Sequence, residues 1–124
     1  MLKFLIALGF LGLTTLGFGF DQADLDNFLA NGVCVKCDLT DADLSNLVIE
    51  TPNLNKTDLS GANLSGSDFT GGNFNKTICV ATNFTDAILT DANFNKSNLT
   101  DADFTGANID GVNFNKSIQN GTIF

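Results

Sequence analysis

Residues 92–106 read ANFNK-SNLTD-ADFTG, three units of five residues, and each unit has a large apolar residue at its third position, namely Phe94, Leu99 and Phe104. Each unit also opens on a small residue, alanine or serine. A period of five fits neither the 3.6-residue repeat of an α-helix nor the two-residue repeat of a strand, so neither element would keep these residues on one side. The chain must therefore turn once per unit, with the first and third residues directed inward.

The same period extends along most of the chain. Every fifth residue from Leu39 to Phe124 is apolar, with the single exception of Gln119. The positions between are mostly Asn, Asp, Ser, Thr, Gly and Lys, which suit solvent. Units that cannot bury an apolar face alone become stable by stacking on their neighbours. We therefore expect residues 37–124 to form one continuous solenoid.

A longer repeat predicts how many sides each coil has. The pattern Asn-Leu/Phe-Asn-Lys begins at Asn53, Asn73, Asn93 and Asn113, a spacing of 20 residues. Four units of five residues make 20, so each coil should have four sides. Stacking then predicts two interior columns. One contains Leu44, Leu64, Phe84, Phe104 and Phe124, and the other contains Leu54, Phe74, Phe94 and Phe114.

Residues 42–46, 62–66 and 102–106 follow the pattern A-[DN]-L-x-x most closely. In these units the chain resembles the pentapeptide-repeat family. The resemblance covers residues 37–124 and implies an all-β fold, a right-handed quadrilateral β-helix. It carries over no single function, because fold and function are separable and the family's roles are diverse.

The N-terminus has the layout of a secretory signal peptide. Lys3 precedes an apolar stretch, and Gly17 and Gly19 stand at positions -3 and -1 of a cut before Phe20. Residues 1–19 are therefore predicted to be removed on export to a bacterial periplasm, a thylakoid-type lumen or the extracellular space. No stable membrane insertion is expected after cleavage. An uncleaved anchor is the alternative.

A short capping α-helix is expected to close the N-terminal end of the stack. Leu25, Phe28 and Leu29 recur at helical spacing between Asp21, a possible N-cap, and Gly32, a suitable C-terminal stop. Such a helix would cover the unpaired edge of the first coil.

Cys34 and Cys37 complete the predicted junction segment, residues 20–36 and the start of the repeats. An oxidising compartment favours a disulfide between them, with free thiols, a redox centre, zinc or haem as weaker alternatives. Cys79 falls at an inward position and is expected to be a buried small hydrophobe. We identify no catalytic residue, no cofactor site and no metal site in the sequence.

The outward Asn and Lys residues of the 20-residue repeat form a candidate interaction face. The alternative is that the amides only stabilise stacked coils and the lysines only keep the protein in solution. The candidate residues are Asn53, Asn55, Lys56, Asn73, Asn75, Lys76, Asn93, Asn95, Lys96, Asn113, Asn115 and Lys116.

The acidic composition disfavours one class of partner, and the repeats favour a binding or structural role over catalysis. A formal net charge of -8 argues against nucleic acid as a partner. The leading hypothesis is an exported, non-catalytic structural or protein-interaction module whose protein partner is unknown. One alternative is a glycan or lattice binder that uses the Asn/Lys face, and another is a DNA-mimicking topoisomerase inhibitor. Ile123 and Phe124 mark a candidate end for homodimerisation.

Overall fold

The computed structural model describes residues 19–124. The predicted signal peptide therefore lies outside the described residues, apart from Gly19. Within the described range one helix, α1 (Gln22–Asn31), precedes a stack of coils. No helix in residues 19–124 is both long enough and apolar enough to span a membrane.

The coils are held together by parallel bridges between residues 20 apart, from Val33 with Asn53 to Asp103 with Ile123. Each strand is a single bridging residue, and turns occupy the chain between bridges. At each bridge two hydrogen bonds run in opposite directions. Asn73 N–H donates to Pro52 O of the coil before (2.8 Å), and Phe74 N–H donates to Asn93 O of the coil after (2.7 Å). The 20-residue register confirms the prediction of four sides per coil.

We number the four sides by their inward residues, and sides 1 and 3 lie opposite each other. Side 1 contains Cys34, Leu54, Phe74, Phe94 and Phe114; side 2 contains Leu39, Leu59, Cys79, Leu99 and Gln119; side 3 contains Leu44, Leu64, Phe84, Phe104 and Phe124; and side 4 contains Ile49, Phe69, Leu89 and Ile109.

Two stacks of phenylalanine rings form the centre of the core. On side 1 the ring centroids of Phe74 and Phe94 are 4.4 Å apart and the rings are parallel within 6°. On side 3 Phe84 and Phe104 are 4.6 Å apart and parallel within 5°. The two stacks meet edge to face, as Phe84 and Phe94 do at 5.5 Å and 85°. Both arrangements suit the charge distribution of aromatic rings. The predicted interior columns are confirmed except at Phe124, which is 55% exposed on the last coil.

Each corner is a tight turn whose third residue has a positive φ. On side 1 Lys96 has φ 61°, and Ser97 N–H donates to Phe94 O (3.1 Å) to close the turn. This is the pattern of a type II turn, which favours Gly or Asn at the third position. At Gly106, with φ 73°, a side chain would also lack room, because Asp86 Oδ1 lies 2.2 Å from where a Cβ would be.

The expectation that outward positions are polar has exceptions at six bridging residues, two of which, Val33 and Ile123, lie on the first and last coils. Val48 is 71% exposed, and Ile78, Ile88 and Ile118 are between 41% and 49% exposed. β-Branched side chains suit a pleated strand, which accounts for their use at bridging positions.

Helix α1 begins and ends at the residues expected to cap it. The Asp21 carboxylate accepts a hydrogen bond from Asp24 N–H (3.1 Å) at the N-terminus. At the other end Gly32 has φ 71°, and its N–H donates to Phe28 O (2.7 Å). Leu25, Phe28 and Leu29 are buried against the coils. The helix therefore covers the interior of the first coil.

Candidate interaction face

Every basic side chain of the described residues lies in one column at the corner that follows side 1. We call this set the lysine column. It consists of Lys36, Lys56, Lys76, Lys96 and Lys116. All are exposed, and all have φ between 58° and 61°. Lys36 was missing from the face predicted by sequence, because Val33 and Val35 replace the asparagines beside it. Counting back 20 residues from Lys56 would have found it.

Lysine is an unfavourable choice at these corners. A residue with a side chain costs about 1 kcal/mol in the left-handed region, and Gly, Asn and Asp are the residues that adopt it most readily. The other corners mostly use those residues. Side 3, for example, has Asn46, Gly66, Asp86 and Gly106 in the equivalent column. The turn itself therefore gives no reason for lysine to occur five times.

The lysines also form no direct ion pair within the described residues. No ion pair within 4.0 Å joins a lysine to a carboxylate among residues 19–124. Side 1 itself holds no acidic residue, whereas eleven lie on the coils' other sides and corners. Those residues are Asp38, Asp41, Asp43, Glu50, Asp58, Asp68, Asp86, Asp91, Asp101, Asp103 and Asp110. Positive and negative charge are thus segregated onto different parts of the solenoid.

Two asparagine rows lie beside the lysine column on side 1. The bridging row contains Asn53, Asn73, Asn93 and Asn113, and the outer row contains Asn55, Asn75, Asn95 and Asn115. A bridging side chain accepts a hydrogen bond from the N–H two residues later, as Asn93 Oδ1 does from Asn95 N–H (2.9 Å). In the outer row Asn95 Nδ2 donates to Asn75 Oδ1 (3.2 Å), and Asn75 Nδ2 donates to Asn55 Oδ1 (3.1 Å).

These bonds assign the asparagine rows a stabilising role between coils, as the alternative interpretation expected. They do not exhaust the rows' capacity, because each amide nitrogen carries two hydrogens. Asn75 and Asn95 are half-buried and use one hydrogen each in the row. Side 1 therefore presents hydrogen-bond donors next to a line of cations.

Cys34 and Cys37 lie where helix α1 meets the first coil, with their sulfur atoms 1.98 Å apart in a disulfide. The Asp24 carboxylate is close to both, since ligand atoms of the three residues fall within 4.8 Å of one another. The two sulfurs are bonded to each other, however, and Asp24 Oδ2 accepts a hydrogen bond from Asp38 N–H (2.9 Å). A structural zinc site needs four ligands, so this geometry fits a disulfide in the segment that follows the helix better than a metal centre.

Cys79 is fully buried on side 2, which confirms the inward position predicted for it. Its sulfur contacts Thr77 Oγ1 at 3.3 Å. Burial raises the pKa of the thiol to about 12. The thiolate is the nucleophilic form, so Cys79 is unreactive in the folded protein.

Ile123 and Phe124 lie on the last coil, where they are 53% and 55% exposed. The ring of Phe124 contacts that of Phe104 at a centroid distance of 5.4 Å. One face of the ring is thus packed, and the predicted dimer end is an exposed apolar surface.

The family model for pentapeptide repeats matches eight copies over residues 52–78 and 77–115. Together these matches span 52–115, which is 64 of the 124 residues. Among curated proteins no sequence matches.

Solved structures are similar to this chain at low identity. A pentapeptide repeat protein, Rfr23, from the cyanobacterium Cyanothece 51142 is 20% identical, with a TM-score of 0.54 over 82% of this chain and 97% of that one. A pentapeptide repeat protein from the Arabidopsis thaliana thylakoid lumen is 26% identical over 70% of this chain and 61% of its own, with a TM-score of 0.47. QnrB1, a plasmid-mediated fluoroquinolone resistance protein, is 14% identical over 66% and 47%, with a TM-score of 0.42.

The similarity to Rfr23 supports the fold alone, a right-handed quadrilateral β-helix. The other two structures are too distant to bear on what this chain does. Its role must be argued from its own surface.

Proposed function

Because the chain belongs to the pentapeptide-repeat family, we propose that it is an exported, non-catalytic interaction module that presents side 1 to a partner. One observation carries the proposal. Five lysines occupy turn positions that disfavour them, and they lack ion pairs within the described chain. Strain that the fold does not require points to a role outside the fold.

The scaffold suits this role because it holds its outer rows rigidly. The inward residues of each coil are packed in the core, so only outward residues are free to meet a partner. Stacked coils repeat about every 4.8 Å, the spacing of paired strands, and the lysine column is therefore about 19 Å long. A backbone fixed by stacking lowers the entropy cost of binding, because only the lysine side chains remain to be ordered.

Photo-crosslinking from side 1 and side 3 tests the proposal. The photoreactive residue p-benzoylphenylalanine replaces Asn115 on side 1 or Thr105 on side 3, both exposed and both directly after an inward phenylalanine. In extracts of the protein's own compartment, position 115 should yield discrete crosslinked species and position 105 should not. Equal crosslinking from both positions, or none from position 115, would refute side 1 as the interaction face.

The export part of the proposal has its own measurement. Residues 1–19 have the layout of a signal peptide, and a disulfide between Cys34 and Cys37 suits an oxidising compartment. Intact mass of the natively produced protein should correspond to a chain that begins at Phe20 with two hydrogens fewer than the reduced form. A cytoplasmic protein that retains Met1 and free thiols would contradict export.

The disulfide is proposed to fasten helix α1 and not to catalyse thiol exchange. Cys34 is 1% exposed, and an exchange reaction needs an accessible attacking sulfur. An insulin-reduction assay should therefore give no activity above that of the Cys34→Ser/Cys37→Ser variant. Turnover that depends on both cysteines would overturn this assignment.

A second candidate role is self-association through Ile123 and Phe124, which are more than half exposed. Sedimentation velocity of the mature protein should show dimers that Phe124→Asp abolishes. Ile88→Asp is a matched control, because Ile88 is 41% exposed but pairs with coils on both sides, away from the last coil. A monomer at all concentrations would exclude this role.

A further inference from the structure

We propose that the partner of side 1 is a linear acidic polysaccharide, a sugar polymer with regularly placed carboxylates that lie along the lysine column. This inference rests on the proposed function, since it takes side 1 to be the binding face. It adds the chemical class of the partner and the part of the face that binds it most strongly.

Charge complementarity supplies the first argument. The lysines leave the backbone about every 4.8 Å along one corner, and side 1 has no carboxylate of its own. The acidic residues of side 3 lie across the solenoid, where salt screens charges beyond roughly 8 Å, and those of side 4 border the edge of side 1 that is away from the lysine column. A polyanion can therefore approach side 1 although the whole chain is acidic.

The residues beside the lysine column indicate which of its lysines should bind an anion most strongly. On side 2 the bridging residues next to Lys36 and Lys56 are Asp38 and Asp58. From the next coil onward carboxylates are absent from that row, which continues with Ile78, Asn98 and Ile118. The lysines at positions 76, 96 and 116 thus form the half that should bind an anion best.

The chemistry of side 1 favours a sugar polymer over a folded protein. Protein interfaces usually centre on aromatic, apolar or arginine anchors and are depleted in lysine. The large exposed apolar residues of side 1, Val33 and Val35, are confined to its first coil. Beyond them the face offers amides and cations, which suit the hydroxyl and carboxylate groups of an acidic sugar.

Single-stranded nucleic acid fits less well. Proteins that bind it combine a basic groove with exposed aromatic rings on which bases stack. The phenylalanines of side 1, Phe74, Phe94 and Phe114, point inward and offer no surface for stacking. A neutral glycan could use the asparagine rows alone but gives no reason for the lysine column.

Isothermal titration calorimetry with oligogalacturonate of defined length tests the assignment. We expect binding that strengthens with oligomer length up to the span of the column. Affinity should fall on the order of tenfold or more between about 50 and 200 mM salt. A methyl-esterified oligomer, a glutamate peptide of equal charge and a single-stranded oligonucleotide should each bind more weakly. Absence of binding, or equal binding of any comparator, would overturn the proposal.

Paired variants with equal changes of net charge locate the site. Lys96→Gln/Lys116→Gln should weaken oligogalacturonate binding about tenfold, the effect of two exposed ion pairs. Lys36→Gln/Lys56→Gln should weaken it less, and Lys96→Arg/Lys116→Arg should preserve it. The control Asn63→Asp/Asn83→Asp on side 3 should bind normally, since Asp43 and Asp103 already occupy that row. Equal losses in all pairs would mean a net-charge effect and would overturn the assignment.

Two results separate this inference from the proposed function. If position 115 crosslinks, mass spectrometry of the digested product finds peptides of a second protein, and oligogalacturonate does not bind, the partner is a protein and only the polysaccharide assignment is wrong. If position 115 gives no crosslink at all, the interaction face itself is wrong.

Discussion

Side 1 and side 3 are alike inside and different outside. Each holds a phenylalanine stack, with closest centroid distances of 4.4 Å and 4.6 Å. Each also has the same local bond at its bridging row, from Asn95 N–H to Asn93 Oδ1 and from Thr85 N–H to Asn83 Oδ1, both 2.9 Å. At the corner, however, side 1 has five lysines and side 3 has Asn, Gly and Asp. The fold is thus satisfied without lysine, so the lysines need another explanation.

The largest effect should come from the interior, and it should be equal on the two sides. Phe94→Ala and Phe84→Ala each remove a fully buried ring and should lower the free energy of unfolding by about 3–5 kcal/mol. Urea denaturation measures both. A loss below about 1 kcal/mol on either side would contradict the inward stacks.

A smaller effect is expected at the side 3 corner. Gly106→Ala places a Cβ 2.2 Å from Asp86 Oδ1 in a residue with φ 73° and should cost about 1–3 kcal/mol. In an Asp86→Gly background the same substitution should cost less, because only the backbone strain remains. Equal costs in the two backgrounds would show that the Asp86 side chain does not restrict this corner.

Cys79, on side 2, should make the free energy of unfolding fall at high pH. Its pKa is raised from 9.0 to about 12 in the folded protein, so the unfolded chain loses the proton first as pH rises. Stability from this group is complete below pH 9 and should decline between pH 9 and about 12. Comparison with Cys79→Ala isolates the effect, since that variant should lack this part of the decline. Identical pH profiles would contradict the neutral thiol.

The smallest change in stability is expected at the side 1 corner. Lys96→Asn puts a residue that tolerates positive φ at a position with φ 61° and should stabilise the fold by up to about 1 kcal/mol. Lys96→Gln is the control, because it removes the charge and keeps an unfavourable residue. Loss of stability in Lys96→Asn would mean that the lysine serves the fold.

The sequence predicted the coil well because its signal is a strict period. Large apolar residues every five positions determine the interior. The number of sides follows from the 20-residue repeat of the pattern Asn-Leu/Phe-Asn-Lys. A turn in each unit was predicted, but the positive φ of its third residue was not, since lysine at positive φ runs against its usual preference.

Contacts between coils were also missed. The Asp86–Gly106 pair and the bond from Ser97 Oγ to Phe74 O (2.6 Å) join residues 20 and 23 apart. A small residue was correctly expected at Ser97. The acceptor of its hydroxyl, Phe74 O, belongs to the coil before and follows only from the stacking of the coils. Aligning the sequence in rows of 20 residues would have revealed the Asp–Gly pair and Lys36, but not the hydrogen bond.

The most direct test of side 1 measures stability and crosslinking in one variant. Lys76→Asn/Lys96→Asn, with p-benzoylphenylalanine at position 115, should unfold at the same urea concentration as the parent or a higher one. It should also lose most of its crosslinked product. That result would separate the lysine column from the fold and tie it to a partner. An unchanged crosslink yield, or a yield that falls only because the protein unfolds, would contradict the account.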